Sequence, residues 1–185
     1  SVTGGGYSFY QSAKDRRILR IRPNNVPFDR PGRYIYIKNN KSGDFHSAGW
    51  APVMKDIDQQ SYVCRLGAGF LSIESVYQAI KTELTYFVPL DNNLEIWRLR
   101  ITNTGNEILD LSLFTYAEFA LFDAVNDRDN YQYTYNIASC HGHGDYIIHD
   151  TLYHNYHSIV YFCSSEQVEG YECNRENFIG PYNSE

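Results

Sequence analysis

Residues 95–103, Glu95-Ile96-Trp97-Arg98-Leu99-Arg100-Ile101-Thr102-Asn103, constrain the fold of this chain more than any other stretch. Large apolar and polar side chains alternate through them, and Asn103-Thr104-Gly105-Asn106 closes the run as a turn. A period of two puts Trp97, Leu99 and Ile101 on one face and Arg98, Arg100 and Thr102 on the other. That division suits a strand with one covered face and one wet face.

Other segments follow the same rule. Residues 33–38 alternate and are followed by the turn-forming Asn39-Asn40-Lys41-Ser42-Gly43-Asp44, a hairpin signal. Residues 61–65 and 70–75 read as strands around Gly67-Ala68-Gly69. Residues 76–88 are mixed in period, but Thr82, Thr85, Tyr86, Phe87 and Val88 favour strand over helix. Residues 108–122 are expected to fold back on 95–103 as its hairpin partner. Residues 7–10 open a short strand after Gly4-Gly5-Gly6, and 15–22 alternate basic and apolar residues up to Pro23. Residues 24–27 and 30–32 are turn chemistry, while 146–148 and 158–163 continue the strand pattern. No amphipathic helical period of ten residues interrupts them. The expectation is an all-β chain, one large antiparallel β-sandwich domain over residues 1–185. Its start without methionine and its finish at Gly180-Pro181-Tyr182-Asn183-Ser184-Glu185 read as cuts from a larger multidomain protein.

Residues 117–136 carry the most suggestive chemistry. Aromatic residues make up 16% of the chain, with 17 Tyr against 2 Trp, and three of the tyrosines recur at 131, 133 and 135. Read as a strand, 131–136 places Tyr131, Tyr133 and Tyr135 on one face and Gln132, Thr134 and Asn136 on the other. Phenol rings beside amides suit a carbohydrate, because rings stack on sugar C–H faces and amides bond hydroxyls. Spacing alone favours the simpler reading, a surface strand packing its tyrosines on a neighbour. The charged stretch before it, 126–130, reads as a turn with Asp127 and Asp129 in solvent.

Composition and motifs exclude much else. A net charge of −6 with no basic stripe argues against nucleic acid. No apolar run approaches the ~20 residues that span a bilayer, so no membrane partner is expected. Cys64, Cys140, Cys163 and Cys173 lack CxxC spacing, and in a chain of this length they read as free thiols of a reducing, cytoplasmic compartment. Cys140-His141-Gly142-His143 with His149, His154 and His157 is the most tempting metal set. Gly142 and Gly144 put its first members in a loop, neither CxxC nor HExxH is present, and the reading is no metal. Gly4-Gly5-Gly6 and Gly67-Ala68-Gly69 lack the Lys-Ser/Thr of a phosphate loop. Glu95, Glu118, Asp123, Asp127 and Asp129 supply carboxylates, but loop solvation is their default, and no nucleophile motif accompanies them. No complete catalytic apparatus is legible.

Several segments nevertheless match one family in order: Gly4 to Tyr10 (GGGYSFY), 15–20 (DRRILR), 24–27 (NNVP), 31–38 (PGRYIYIK), 50–53 (WAPV), 83–105 (ELTYFVPLDNNLEIWRLRITNTG), 111–124 (LSLFTYAEFALFDA), 130–136 (NYQYTYN) and 174–183 (NRENFIGPYN). Together they resemble the N-terminal domain of the cellobiose and N,N′-diacetylchitobiose phosphorylases, inverting enzymes of glycoside hydrolase family 94. The resemblance implies a mutarotase-like β-supersandwich, followed in that family by a helical linker and an (α/α)6 barrel that holds the catalytic Asp. It implies a homodimer that cleaves a β-linked disaccharide with inorganic phosphate, giving an α-sugar 1-phosphate. Phosphate is a co-substrate, and no cofactor is implied. The barrel lies outside these residues, so no catalytic residue is assigned among them.

The family places in this domain a contribution to the partner subunit's acceptor-sugar subsite, from the strand matching 130–136. Gln132 falls on the family's glutamine, and Tyr133 on its arginine, a departure that puts acceptor identity in question. The two are the candidate substrate-binding residues. Leu66 stands at a usual His and His46 near a usual Trp, which marks a divergent branch. Two other readings compete: a free-standing carbohydrate-binding sandwich module, and a mutarotase-like epimerase, which needs a His and carboxylate paired in a cleft.

Overall fold

The computed structural model describes residues 3–10, 17–22, 30–57 and 61–180. In chain order the strands are β1 Arg17–Leu19, β2 Ile21–Arg22, β3 Arg30–Pro31, β4 Arg33–Asn39, β5 Phe45–Ser47, β6 Val63–Gly67, β7 Phe70–Tyr77 and β8 Ile80–Phe87. They continue with β9 Ile96–Asn103, β10 Leu111–Ala117, β11 Phe119–Phe122, β12 Ala138–His143, β13 Tyr146–Tyr153 and β14 Tyr156–Cys163. Helices are short: α1 Ala124–Asp129, a 3₁₀ turn Tyr131–Tyr133, α2 Thr134–Ile137 and α3 Arg175–Ile179. The predicted all-β, antiparallel architecture is what folds. Among the described residues no helix is long and apolar enough to cross a membrane.

The chain forms two compact units, Ser1–Gly6 with Arg33–Tyr116 and Tyr7–Gly32 with Ala117–Glu185. The first holds two sheets, β6-β7-β8-β9 and β10-β4-β5. Ile35 and Ile37 of β4 meet Leu71 and Ile73 of β7 and Ile80, Leu84 and Tyr86 of β8 in one core, with Trp97, Leu99 and Ile101 packed against it. The alternation of 95–103 therefore does its expected work, with Trp97, Leu99 and Ile101 turned to the core. Ser75 and Thr82 also point inward, and their hydroxyls bond each other at 2.8 Å while Thr82 donates to Ala48 O at 3.1 Å. That pairing satisfies two polar groups that burial would otherwise penalise. The turn over 39–44 joins β4 to β5 as a hairpin, as expected.

Residues 108–122 depart from expectation. β9 pairs with β8, whereas β10 pairs with β4. The connection over 104–110 exceeds the roughly two to five residues of a tight hairpin loop. Its far end is pinned to the β4–β5 turn: Asn40 N donates to Asp110 O at 2.9 Å, Asn40 Nδ2 to Asp110 Oδ1 at 3.0 Å, and Lys41 Nζ to Ile108 O at 3.0 Å.

The second unit contains the meander β12-β13-β14 and the pairs β1-β11 and β2-β3. Phe122, Ala120 and Leu19 form its buried apolar centre. Residues 7–10 make one bridge, Phe9 to Arg17, in place of a strand. The turn read at 24–27 and the end at 181–185 lie outside the described residues.

Residues 131–136 are not a strand. The preceding segment already coils, because Asp123 caps α1 by accepting from Val125 N and Asn126 N at 2.9 Å. Tyr133 N then donates to Asn130 O at 3.0 Å, and the chain passes through the 3₁₀ turn into α2. Six alternating residues carry too little strand preference to override that local closure. Residues 140–143 correct in the other direction, since the expected loop is strand β12.

Candidate functional site

Arg20 lies at the centre of the second unit, although it follows an apolar pair in an otherwise ordinary basic-apolar run. Its side chain is 9% exposed. Its Nε donates to Asp127 at 2.8 Å and 3.0 Å, and Nη2 approaches Oδ1 of the same carboxylate at 2.6 Å. Nη2 also donates to Thr134 Oγ1 at 2.7 Å, and Nη1 lies 3.5 Å from Glu118 Oε2. Arg175 of α3 closes the set by donating from Nε to Glu118 Oε1 at 3.0 Å. Burial opposes the charge on Arg20, but the bonds and charges of Asp127 and Glu118 outweigh it and hold the guanidinium above its ordinary pKa. A planar fork with five donors can grip one carboxylate with two nitrogens and still reach two further partners, where a lysine offers a single nitrogen.

The backbone locks the same point. Gly32 N donates to Arg20 O at 2.7 Å, and Glu118 N donates to Gly32 O at 2.7 Å. A Cβ on Gly32 would stand 2.9 Å from both the Arg20 and the Glu118 carbonyl oxygens, so only glycine allows this approach.

Asp127 precedes the 3₁₀ turn and Thr134 follows it, so Arg20 grips the turn from both ends. Gln132, between them, is exposed. Tyr133 is half-buried: its ring lies 6.2 Å from Phe122 and 6.3 Å from Tyr153, both near edge-on. Tyr135 is 70% exposed. Tyr133 and Tyr135 therefore do not share one face, and the two form no sugar-stacking platform of the kind read from their spacing. What remains is an exposed amide on a braced turn, beside a phenol whose ring is committed to packing.

The carboxylates read as loop residues are mostly engaged. Asp127 is 2% and Glu118 7% exposed, both bound to Arg20. Asp123 caps α1, and Glu95 takes Arg33 and the Trp97 indole N–H. Asp129 alone behaves as expected, exposed and paired with Arg128. Acidic residue types were visible in the sequence; their burial was not, because the matching arginines lie far away along the chain.

The histidines do not gather. β12 alternates, so Cys140 and Gly142 face one way and His141 and His143 the other. Among the described residues no three metal-ligating side chains come together. His149 is buried, its Nε2 3.1 Å from Thr151 Oγ1 and its ring against Phe119. Burial first, and then the charge of Arg20, push its pKa down to about 4. His46 is 4% exposed, and burial lowers it likewise to about 4. Both are neutral packing groups at neutral pH; a His–carboxylate pair does form, His157 Nε2 with Asp150 Oδ1 at 2.7 Å, but on the exposed side of β13 and β14. Leu66, at the family's usual histidine, is 73% exposed.

Comparison with known proteins agrees with the residue-level resemblance. The model of the family "Glycosyl hydrolase 94, supersandwich domain" matches residues 1–185. The N,N′-diacetylchitobiose phosphorylase of Vibrio proteolyticus is 34% identical over 189 residues, covering 100% of this chain and 23% of that protein. The enzyme of the same name from Vibrio furnissii is 32% identical over the same share. The solabiose phosphorylase of Paenibacillus borealis is 26% identical, over 81% of this chain and 19% of that protein. The chain thus spans less than a quarter of the length of these relatives.

Proposed function

The chain belongs to the supersandwich family of glycosyl hydrolase 94, and on that premise we propose that it is the N-terminal domain of an inverting disaccharide phosphorylase. The longer protein cleaves a β-linked disaccharide, cellobiose- or chitobiose-like, with inorganic phosphate to give an α-sugar 1-phosphate. Phosphate takes the place of the base-activated water of an inverting hydrolase, so one general acid suffices, and that acid lies in the barrel. Residues 1–185 form the sandwich domain of a cytoplasmic homodimer and lend Gln132 to the partner subunit's acceptor subsite. Tyr133 shapes that subsite from behind through its ring packing, since its ring lies against Phe122 and Tyr153.

One observation carries the assignment of Gln132: an exposed amide sits on a turn that Arg20 grips at Asp127 and Thr134. A ligand held by an amide gains most when the amide is already in place. The test runs the full-length enzyme in synthesis, pairing α-glucose 1-phosphate or α-N-acetylglucosamine 1-phosphate with a panel of sugar acceptors and following phosphate release. Gln132→Ala should raise the acceptor KM about tenfold or more, the loss of roughly 1.5 kcal/mol of hydrogen bonding, and leave the KM for the sugar phosphate unchanged. An unchanged acceptor KM would remove Gln132 from the subsite. Absence of phosphate release with every pair would overturn the phosphorylase reading itself.

A further inference from the structure

Outside the Arg20 network, two thiols meet in the second unit. The coil after β14 returns over β12, and two contacts fix its register. The Tyr171 ring occupies the space a Cβ on Gly142 would need, and Cys173 stands close enough to Cys140 to act on its thiol. Residues 140 and 142 are two apart on one strand and therefore share a face. Tyr171 over Gly142 and Cys173 over Cys140 are thus successive contacts of one antiparallel passage. Gly142 makes room for the ring, and the ring lays the following cysteine onto Cys140.

We propose that Cys140 and Cys173 are a redox modification site that closes to a disulfide on reaction with a hydroperoxide. Cys173 is exposed and Cys140 half-buried, so the oxidant meets Cys173 first. Burial, with the Cys173 contact second, pushes the Cys140 thiol up to about 12, which disfavours its own reaction with the peroxide and leaves it to close on the oxidised Cys173 beside it. In the first step the Cys173 sulfur attacks hydrogen peroxide: an S–O bond forms, the O–O bond breaks, and one water leaves. In the second the Cys140 sulfur attacks that sulfenic acid, an S–S bond forms, and the hydroxyl departs with the thiol proton as a second water. Two thiols lose two electrons and the peroxide gains them.

The geometry selects this pair over Cys163. That residue is on β14, separated from β12 by β13, so the strands lie roughly 10 Å apart at ~4.8 Å per spacing. It also faces the opposite side, since Cys140 aligns through His149 with Val160, an odd number of residues away from Cys163. Closure would tether the segment just ahead of Arg175, whose Nε donates to Glu118. Oxidation therefore adds a covalent tie to the buried ion network.

The experiment treats the full-length protein with hydrogen peroxide and blocks remaining thiols with N-ethylmaleimide. Trypsin leaves Cys140, Cys163 and Cys173 on one peptide, as no Lys or Arg separates them. Proteases cutting after Glu and before Asp separate all three, at Glu166, Glu169 and Glu172 and at Asp145 and Asp150. The expected product is a linked pair of peptides bearing Cys140 and Cys173, lighter than their sum by two hydrogens and split by dithiothreitol. It should vanish in Cys140→Ser and in Cys173→Ser and persist in Cys163→Ser. Its formation should raise Tm by ~10 °C, the effect expected of closing a loop of this length in a domain of this size. Trapping Cys173 as its sulfenic acid with dimedone without the link would overturn the proposal, as would a link that survives in Cys140→Ser.

Discussion

Replacing Arg20 by Met tests the centre of the second unit most directly. Methionine keeps much of the length of the side chain but removes every donor. Asp127, 2% exposed, would lose both Nε bonds and the Nη2 contact, and Thr134 Oγ1 its 2.7 Å donor. Glu118 would keep Arg175 at 3.0 Å. The main cost is therefore one uncompensated carboxylate, and removing the partner of a buried pair costs ~3–5 kcal/mol. In a domain of this size that corresponds to a fall in Tm of about 10 °C. Asp127→Asn retains the shape and leaves Arg20 with Glu118 and Thr134, so it should cost about half as much. The double variant should be less destabilised than the sum of the singles, by ~1–3 kcal/mol of coupling. Far-UV circular dichroism in urea is the assay, because Trp50 and Trp97 both belong to the first unit and would report on it. A loss below ~1 kcal/mol for Arg20→Met, with strict additivity in the cycle, would refute the network as a stabilising centre, since exposed pairs behave that way.

Other perturbations follow from the same contacts. His149 has a folded pKa near 4 against 6.5, so below pH 6.5 the unfolded chain binds the extra proton and stability falls with falling pH. Its share of that loss should reach ~3 kcal/mol by pH 4; His149→Gln should flatten the profile between pH 7 and 4 in acid-unfolding curves, and an unaltered slope would count against it. Gly32→Ala should cost ~2–4 kcal/mol, because the new Cβ meets two carbonyl oxygens of fixed backbone at 2.9 Å. Gly67→Ala should cost well under that in the same urea titration, since the obstacle is the half-exposed ring of Phe70, which can swing aside.

The alternating stretches were legible because their pattern is enforced by burial alone. Trp97, Leu99 and Ile101 turn inward and Arg98 and Arg100 outward, whichever strand lies beside them. Partner choice was not legible: β10 goes to β4 because Asn40 and Lys41 hold residues 108–112 from some seventy residues away. The segment 131–136 misled for a related reason. Its tyrosine period is real, yet the cap on Asp123 and the reach of Arg20 to Thr134 decide its conformation, and neither lies within it. Cys140 to His143 looked like a loop because two glycines flank His143, but Gly142 is there to seat the Tyr171 ring within a strand. Of the candidate site, the exposed amide at Gln132 was found by resemblance, and its support by Arg20 only by the fold.

The bonds of Arg20 carry one more consequence, for the order in which the chain acquires its structure. Its partners lie 98, 107 and 114 residues further on, with the whole of Arg33–Tyr116 between the two parts of the second unit. During synthesis the arginine leaves the ribosome long before any carboxylate that can neutralise it, and the second unit stays unfinished until α2 and α3 have emerged. Contacts of such separation make closure slow. The first unit, with its pairings nearly all between neighbouring strands, is free to mature in the interval. Any attempt to shorten this protein to its first hundred residues would strand a charge built to be buried, and a fragment starting at Ala117 would keep Arg175 for Glu118 but leave the buried Asp127 without Arg20.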